Sequence, residues 1–229
     1  MQSPVSEETI SDSTEGATMK LYTYYRSSAA YRVRIALALK GLGYEPVPVH
    51  LLRDGGQHNS PAYRAVNPQG LVPALEDGPA LLTQSLAIVE YLEETHPVPA
   101  LLPPDPLARA RVRAFAHAIA CDIHPINNLR VLTYLRGPLA QPEPAVAAWI
   151  RTWVETGLAA LERMVVSGAP YCFGETPGMA DLCLVPQLFN ARRFGCDLAG
   201  CPSLLAIDAR CRDLPAFRQA APDAQPDAG

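Results

Sequence analysis

The spacing of apolar positions divides the chain into two stretches. In the first, strand-forming runs alternate with helical spacing. Lys20-Leu21-Tyr22-Thr23-Tyr24 reads as a strand. Val33, Ala36, Leu37 and the stretch to Leu39 recur at helical spacing, which predicts a helix over about 29–41 closed by Gly41 and Gly43. Tyr44 to Val49 follows as an edge strand, because Pro46 and Pro48 donate no ladder hydrogen bond. Residues 51–61 form a polar loop around Asp54-Gly55-Gly56. Val72 to Glu76 and Ala80 to Leu82 flank Asp77-Gly78-Pro79, the pattern of a hairpin. Gln84-Ser85 then opens a helix whose apolar positions are Leu86, Ile88, Val89 and Leu92. The order β-α-β, β-β-α predicts a small α/β layer with a mixed four-stranded sheet.

The segment from His96 to Pro106 carries five prolines and no period, so it is a linker. Beyond it the spacing is helical, over about 107–136, 144–167, 179–193 and 203–212. These boundaries divide the chain into 19–97, a linker at 98–106, an all-helical domain at 107–215, and a tail at 216–229. Asp213 to Gly229 is rich in Pro, Ala and Asp, and its end is expected to fray. Residues 1–18 are polar and acidic without a secretory apolar core. They are expected to be a disordered leader, with Met19 the functional start.

Composition narrows the function. The net charge is -4 and the arginines are scattered, which argues against nucleic acid and assigns most of them to solvated faces. No apolar run reaches membrane-spanning length. The six cysteines contain no C-x-x-C pair, so zinc or redox pairing is not expected and reduced thiols in a cytoplasmic protein fit better.

Candidate chemistry centres on Arg26-Ser27-Ser28, where a strand hands over to a helix. A helix N-terminus has unpartnered N–H groups and favours negative charge. One serine is expected to cap the helix, leaving the other hydroxyl free to donate to an anion. Gln84-Ser85 opens a second helix in the same way, with capping by Ser85 the simplest role. His124-Pro125 interrupts a long helical pattern and predicts a kink. Of Arg192 and Arg193 at a helix C-terminus, one is accounted for by the dipole alone. Gly178 lacks a capping side chain, a role expected to pass to Thr176, and Asp181 reads as a buried acid at a helix start.

Together these segments resemble the glutathione transferases. Arg26-Ser27-Ser28-x-x-x-Arg32-Val33-Arg34-Ile35-Ala36-Leu37 is similar to the zeta class, as are Asp54-Gly55-Gly56-Gln57, Asn67 to Pro73, Gln84 to Leu92 and Met179 to Gln187. The similarity covers about 20–215. It implies a thioredoxin-like N-terminal domain, an all-α C-terminal domain, glutathione as cofactor and a homodimer. It also implies a cis–trans isomerase acting on a small dicarboxylate, maleylacetoacetate to fumarylacetoacetate.

By the same resemblance Ser27, supported by Ser28, stabilises the glutathione thiolate. A hydroxyl bonded to a charged sulfur contributes about 1.5–3 kcal/mol. A cis bond before Pro73 lets Val72 pair with the peptide, and Gln84-Ser85 grips its γ-glutamyl end. Gln57 or His58 reaches its glycine end, and Asn128 faces the site. Arg193 binds a substrate carboxylate, Arg26 helps at the cleft mouth, and His124 and Arg130 resemble a bacterial variant. The class commonly has Cys where this chain has Ala29, which excludes a cysteine mechanism through that position. Maleylpyruvate isomerisation, thiolate attack on small α-halo acids and a non-catalytic interaction module stand as alternatives.

Overall fold

A computed structural model describes residues 19–228; the expected leader lies outside the described residues. Strand β1 (Met19–Thr23) leads to helix α1 (Ser28–Leu39) and strand β2 (Tyr44–Pro48). Helix α2 (Pro61–Val66), strands β3 (Ala74–Asp77) and β4 (Ala80–Thr83) and helix α3 (Ser85–Thr95) complete the first half. The sheet order is β2-β1-β3-β4, with β1 parallel to β2 and antiparallel to β3. The proline-bearing β2 lies at an edge, as expected. Helix α2 is absent from the sequence expectation, although Ser60 before Pro61 is a helix-start signal: the Ser60 hydroxyl accepts the Tyr63 N–H at 3.2 Å.

The second half holds α4 (Pro106–His117), α5 (Leu129–Arg136), α6 (Glu143–Glu162), α7 (Met179–Arg193) and α8 (Pro202–Asp213), followed by α9 (Pro215–Ala220). No described helix is long and apolar enough to cross a membrane. Three expectations of this half are corrected. The helix expected over 107–136 is not kinked but broken. A π-helical turn at Ala118–Ile123 and a 3-10 turn at Pro125–Asn127 separate α4 from α5. Pro125 has no N–H to continue the ladder, and Asn128 caps a new helix by accepting the Arg130 N–H at 3.3 Å.

Over 216–228 the tail does not fray. Helix α9 packs on α1, Phe217 is fully buried, and the Asp227 carboxylate accepts the Tyr25 N–H at 2.9 Å. A single aromatic anchor outweighs a composition that reads as solvated.

Helix α1 is the shared wall of the molecule. It packs against α3, α7 and α9, so every residue from Ala30 to Leu37 is buried. The linker is pinned: Lys40 donates to the Glu93 carboxylate at 2.8 Å and to the His96 and Pro99 carbonyls, and Glu93 accepts the N–H groups of Leu101 and Leu102. At the start of α7 the Asp181 carboxylate accepts the Cys172 and Gly178 N–H groups, each at 2.9 Å, so Asp181 supplies the cap expected from Thr176. A Cβ at Gly178 would lie 2.7 Å from the Leu101 carbonyl, which is why the capping serine or threonine has no room here.

Candidate active site

Two adjoining cavities of about 270 and 280 Å³ lie between the sheet domain and the helical half, sharing Gln69, Leu71, Val72, His124, Asn128 and Arg130. Ser27, Ser28, Arg26, His58 and Arg193 line the second. Pro73, Gln84 and Ser85 line the first. Twelve of the expected site residues therefore share one cleft. Gln57 does not line it: its amide oxygen accepts the His50 N–H at 2.8 Å and its nitrogen donates to Asp54 at 3.3 Å.

The two serines divide their work differently from the expectation. Ser27 is the N-cap of α1, its oxygen accepting the Ala30 N–H at 3.2 Å. Capping uses a lone pair and leaves the hydroxyl proton free for the cleft. Ser28 is buried and its hydroxyl points to the Pro186 carbonyl at 3.5 Å. The cap and the free donor are thus one residue.

The Val72–Pro73 peptide bond is cis. The Leu71 carbonyl is taken by the Tyr63 hydroxyl and the Asn67 amide, each at 2.7 Å, while the Val72 N–H and C=O have no partner among the described residues. A backbone pair open to a cleft is what an extended peptide requires. At the next helix start Gln84 has φ 70 and occupies the cap position, with its side chain donating to Gln69 at 2.7 Å. Ser85 is therefore the first helical residue rather than the cap, and its oxygen accepts from Arg32 at 3.2 Å.

In the helical half, Arg192 pairs with the buried Asp208 at 2.6 Å and turns away from the cleft, leaving Arg193 to line it. Burial, then the neighbouring Arg26 charge, lowers the Arg193 pKa. Two guanidinium groups close enough to disfavour one another mark a place for anions. Arg26 donates to the Tyr24 hydroxyl at 3.1 Å, stacks over Tyr25 at 4.9 Å, and keeps a buried Nε without a partner.

His124 sits where the two cavities meet. Loss of solvent, then the Arg32 charge, pushes its pKa down to about 3, so it is a neutral donor and acceptor at pH 7. An unfolded histidine titrates near 6.5, so between that value and about 3 only the unfolded chain binds the proton. Stability is then full above about pH 6.5 and falls as pH drops toward 3. Urea midpoints across this range are expected to decline more steeply for the parent than for His124→Asn. Parallel declines would mean that this ring titrates normally.

The residues missed from sequence are Arg32, Arg64, Gln69, Asn127 and Asn190, all lining the cleft. Arg32 and Gln69 stood inside quoted motifs, but an arginine among apolar helix positions gives no sign of which way it faces.

A four-stranded mixed sheet joined to a helical half, with a cleft running from a serine-capped helix past a cis-proline strand, defines a glutathione transferase. Residues 21–103 match the glutathione S-transferase N-terminal domain. The chain is 55% identical over 210 residues to maleylacetoacetate isomerase of Pseudomonas aeruginosa, covering 91% of this chain and 98% of that one. It superposes with a TM-score of 0.89 on the holo structure of a maleyl pyruvate isomerase, a bacterial zeta-class glutathione transferase. That match is 50% identical and covers 92% of this chain and 100% of the other. A maleylacetoacetate isomerase from Anaeromyxobacter dehalogenans, solved with dicarboxyethyl glutathione and citrate in its active site, matches with a TM-score of 0.82 at 46% identity, over 93% of this chain and 94% of the other. The chain belongs to the zeta-class maleylacetoacetate isomerase family of glutathione transferases.

Proposed function

We propose that this protein is a glutathione-dependent cis–trans isomerase that converts maleylacetoacetate to fumarylacetoacetate. The observation that carries this reading is one cleft lined by Ser27, Ser85, Arg26, Arg193 and Val72, whose backbone groups have no partner among the described residues. The unpaired backbone and the serine-fronted helix start suit glutathione, which is extended and carries a carboxylate at each end. In this reading residues 19–97 hold glutathione, 107–215 complete the acid-binding side, and 98–106 join them. The homodimer is carried by the family, and the cytoplasmic location by six free cysteines.

Bound glutathione supplies a thiolate that adds to the activated cis double bond and departs after rotation about the resulting single bond. Ser27 donates its hydroxyl proton toward the sulfur position, helped by the N-terminus of α1. Arg26 and Arg193 hold the substrate carboxylates and stabilise negative charge that spreads onto the dioxo group. His124, neutral, and Asn128 offer hydrogen bonds without adding charge. His58 lines the cleft near Arg64, and in this reading the two meet the glycine carboxylate.

The test is an absorbance assay of cis dioxo acid consumption with and without glutathione. Turnover is expected only with it, at higher kcat/KM for maleylacetoacetate than for maleylpyruvate. Preference for the shorter acid would favour the second reading, maleylpyruvate isomerase, which His124 and Arg130 in the cleft also suit. Ser85→Ala is expected to weaken glutathione binding about five- to tenfold in calorimetric titration, the equivalent of one ordinary hydrogen bond. Unchanged affinity would move the γ-glutamyl end elsewhere.

A further inference from the structure

Two arginines on α1 are 1% exposed, and they are treated differently. The Arg34 guanidinium donates to the Thr23 hydroxyl and to the Tyr24, Tyr25 and Ala220 carbonyls. Arg32 makes a single hydrogen bond, from Nη1 to the Ser85 hydroxyl oxygen at 3.2 Å. Its Nε and Nη2 are buried with no partner, and no carboxylate among the described residues pairs with it. A guanidinium is not deprotonated in a protein, so this is a standing buried charge without a counter-ion. Such a charge is costly unless an anion meets it.

We propose that Arg32 is the charge that fixes the anion subsite of this cleft, acting through Ser85 to hold the α-carboxylate of the γ-glutamyl end of glutathione. This rests on the reading of the cleft as a glutathione site. Arg32 lines the same cavity as Ser85, Val72 and Gln84. The Ser85 oxygen receives the guanidinium N–H on a lone pair, which leaves its own proton to donate into the cavity. A hydroxyl with a cation behind it is a stronger donor, and the charge acts on the anion across one oxygen atom in a poorly solvated pocket. The first N–H groups of α3 lack helical partners and complete the cradle. The other titratable groups near Arg32 are His124, Cys121 and Cys183. His124 is held uncharged, and burial raises the Cys183 thiol, so neither supplies the missing negative charge. Arg32 is thus a positioning residue: it sets how strongly Ser85 binds.

The experiment compares glutathione with γ-aminobutyryl-cysteinyl-glycine, which lacks only that carboxylate, in titrations of the parent, Arg32→Met and Arg32→Lys. The parent is expected to prefer glutathione by about ten- to a hundredfold, the range for a hydrogen-bonded charge. Arg32→Met should bring the preference close to one while leaving affinity for the analogue in place, and Arg32→Lys should restore part of it. A merely structural defect would weaken both ligands alike. A parent with no preference would remove the subsite itself. A parent with full preference that Arg32→Met retains would overturn the role of Arg32 alone. If Arg32→Met fails to fold, the side-chain nitrogen resonances of Arg32 in the parent decide: they should shift with glutathione and not with the analogue. Equal shifts with both, or none, would overturn the proposal.

Discussion

Replacing Ser27 with alanine is expected to leave glutathione bound while raising the pKa of its thiol, with turnover falling in proportion. Ser27 is the serine whose proton is free, because its oxygen caps α1 and its O–H is not otherwise engaged. Losing one hydrogen bond to a charged sulfur, about 1.5–3 kcal/mol, lowers the thiolate fraction about ten- to a hundredfold at fixed pH. Near-ultraviolet thiolate absorbance of the glutathione complex, followed across pH, reads this directly. Ser28→Ala should leave the titration where it is and lower stability instead, since the Ser28 hydroxyl is spent on the Pro186 carbonyl. A shift in Ser28→Ala with none in Ser27→Ala would exchange the two roles. If neither variant moves the curve, the helix N-terminus and backbone donors activate the thiol without a hydroxyl.

The order of strands and helices in the first half was legible because period two and period 3.6 are hard to confuse where glycine and proline punctuate them. Helix α2 escaped because six residues give too little periodicity, although Ser60-Pro61 announced its start. The break before α5 read as a kink because a proline fixes where a helix is interrupted, not whether it resumes in line. The tail misled by composition, since the burial of Phe217 depends on a surface that α1 offers only once folded. In the site, Ser27 and Ser85 were visible as helix-start chemistry, whereas Val72 was marked only by the family resemblance. Arg32 was not visible, because arginine defaults to solvent and only the packing of other helices over α1 buries it. The Gln57 expectation failed locally: the loop before α2 consumes its amide in holding its own turn.

Arg193→Ala is expected to raise the apparent KM for the dioxo acid by about ten- to a hundredfold, the equivalent of one charge-assisted hydrogen bond, with little effect on glutathione affinity. The division follows from position. Arg193 ends α7 in the helical half, whereas Val72, Ser85 and Ser27 belong to the sheet domain. Arg26 is the second cation at the same cavity, close enough to lower the Arg193 pKa. An acid with two carboxylates can bridge such a pair and offset the repulsion between the two guanidinium groups. The double variant Arg26→Ala/Arg193→Ala should therefore cost a different amount from the sum of the single changes, because removing either cation also removes its repulsion of the other. Steady-state kinetics with each substrate varied in turn separate the effects. Equal loss of affinity for glutathione and for the acid in Arg193→Ala would place this residue in the glutathione half of the cleft and overturn the assignment. Strict additivity would mean that the two arginines do not share a ligand.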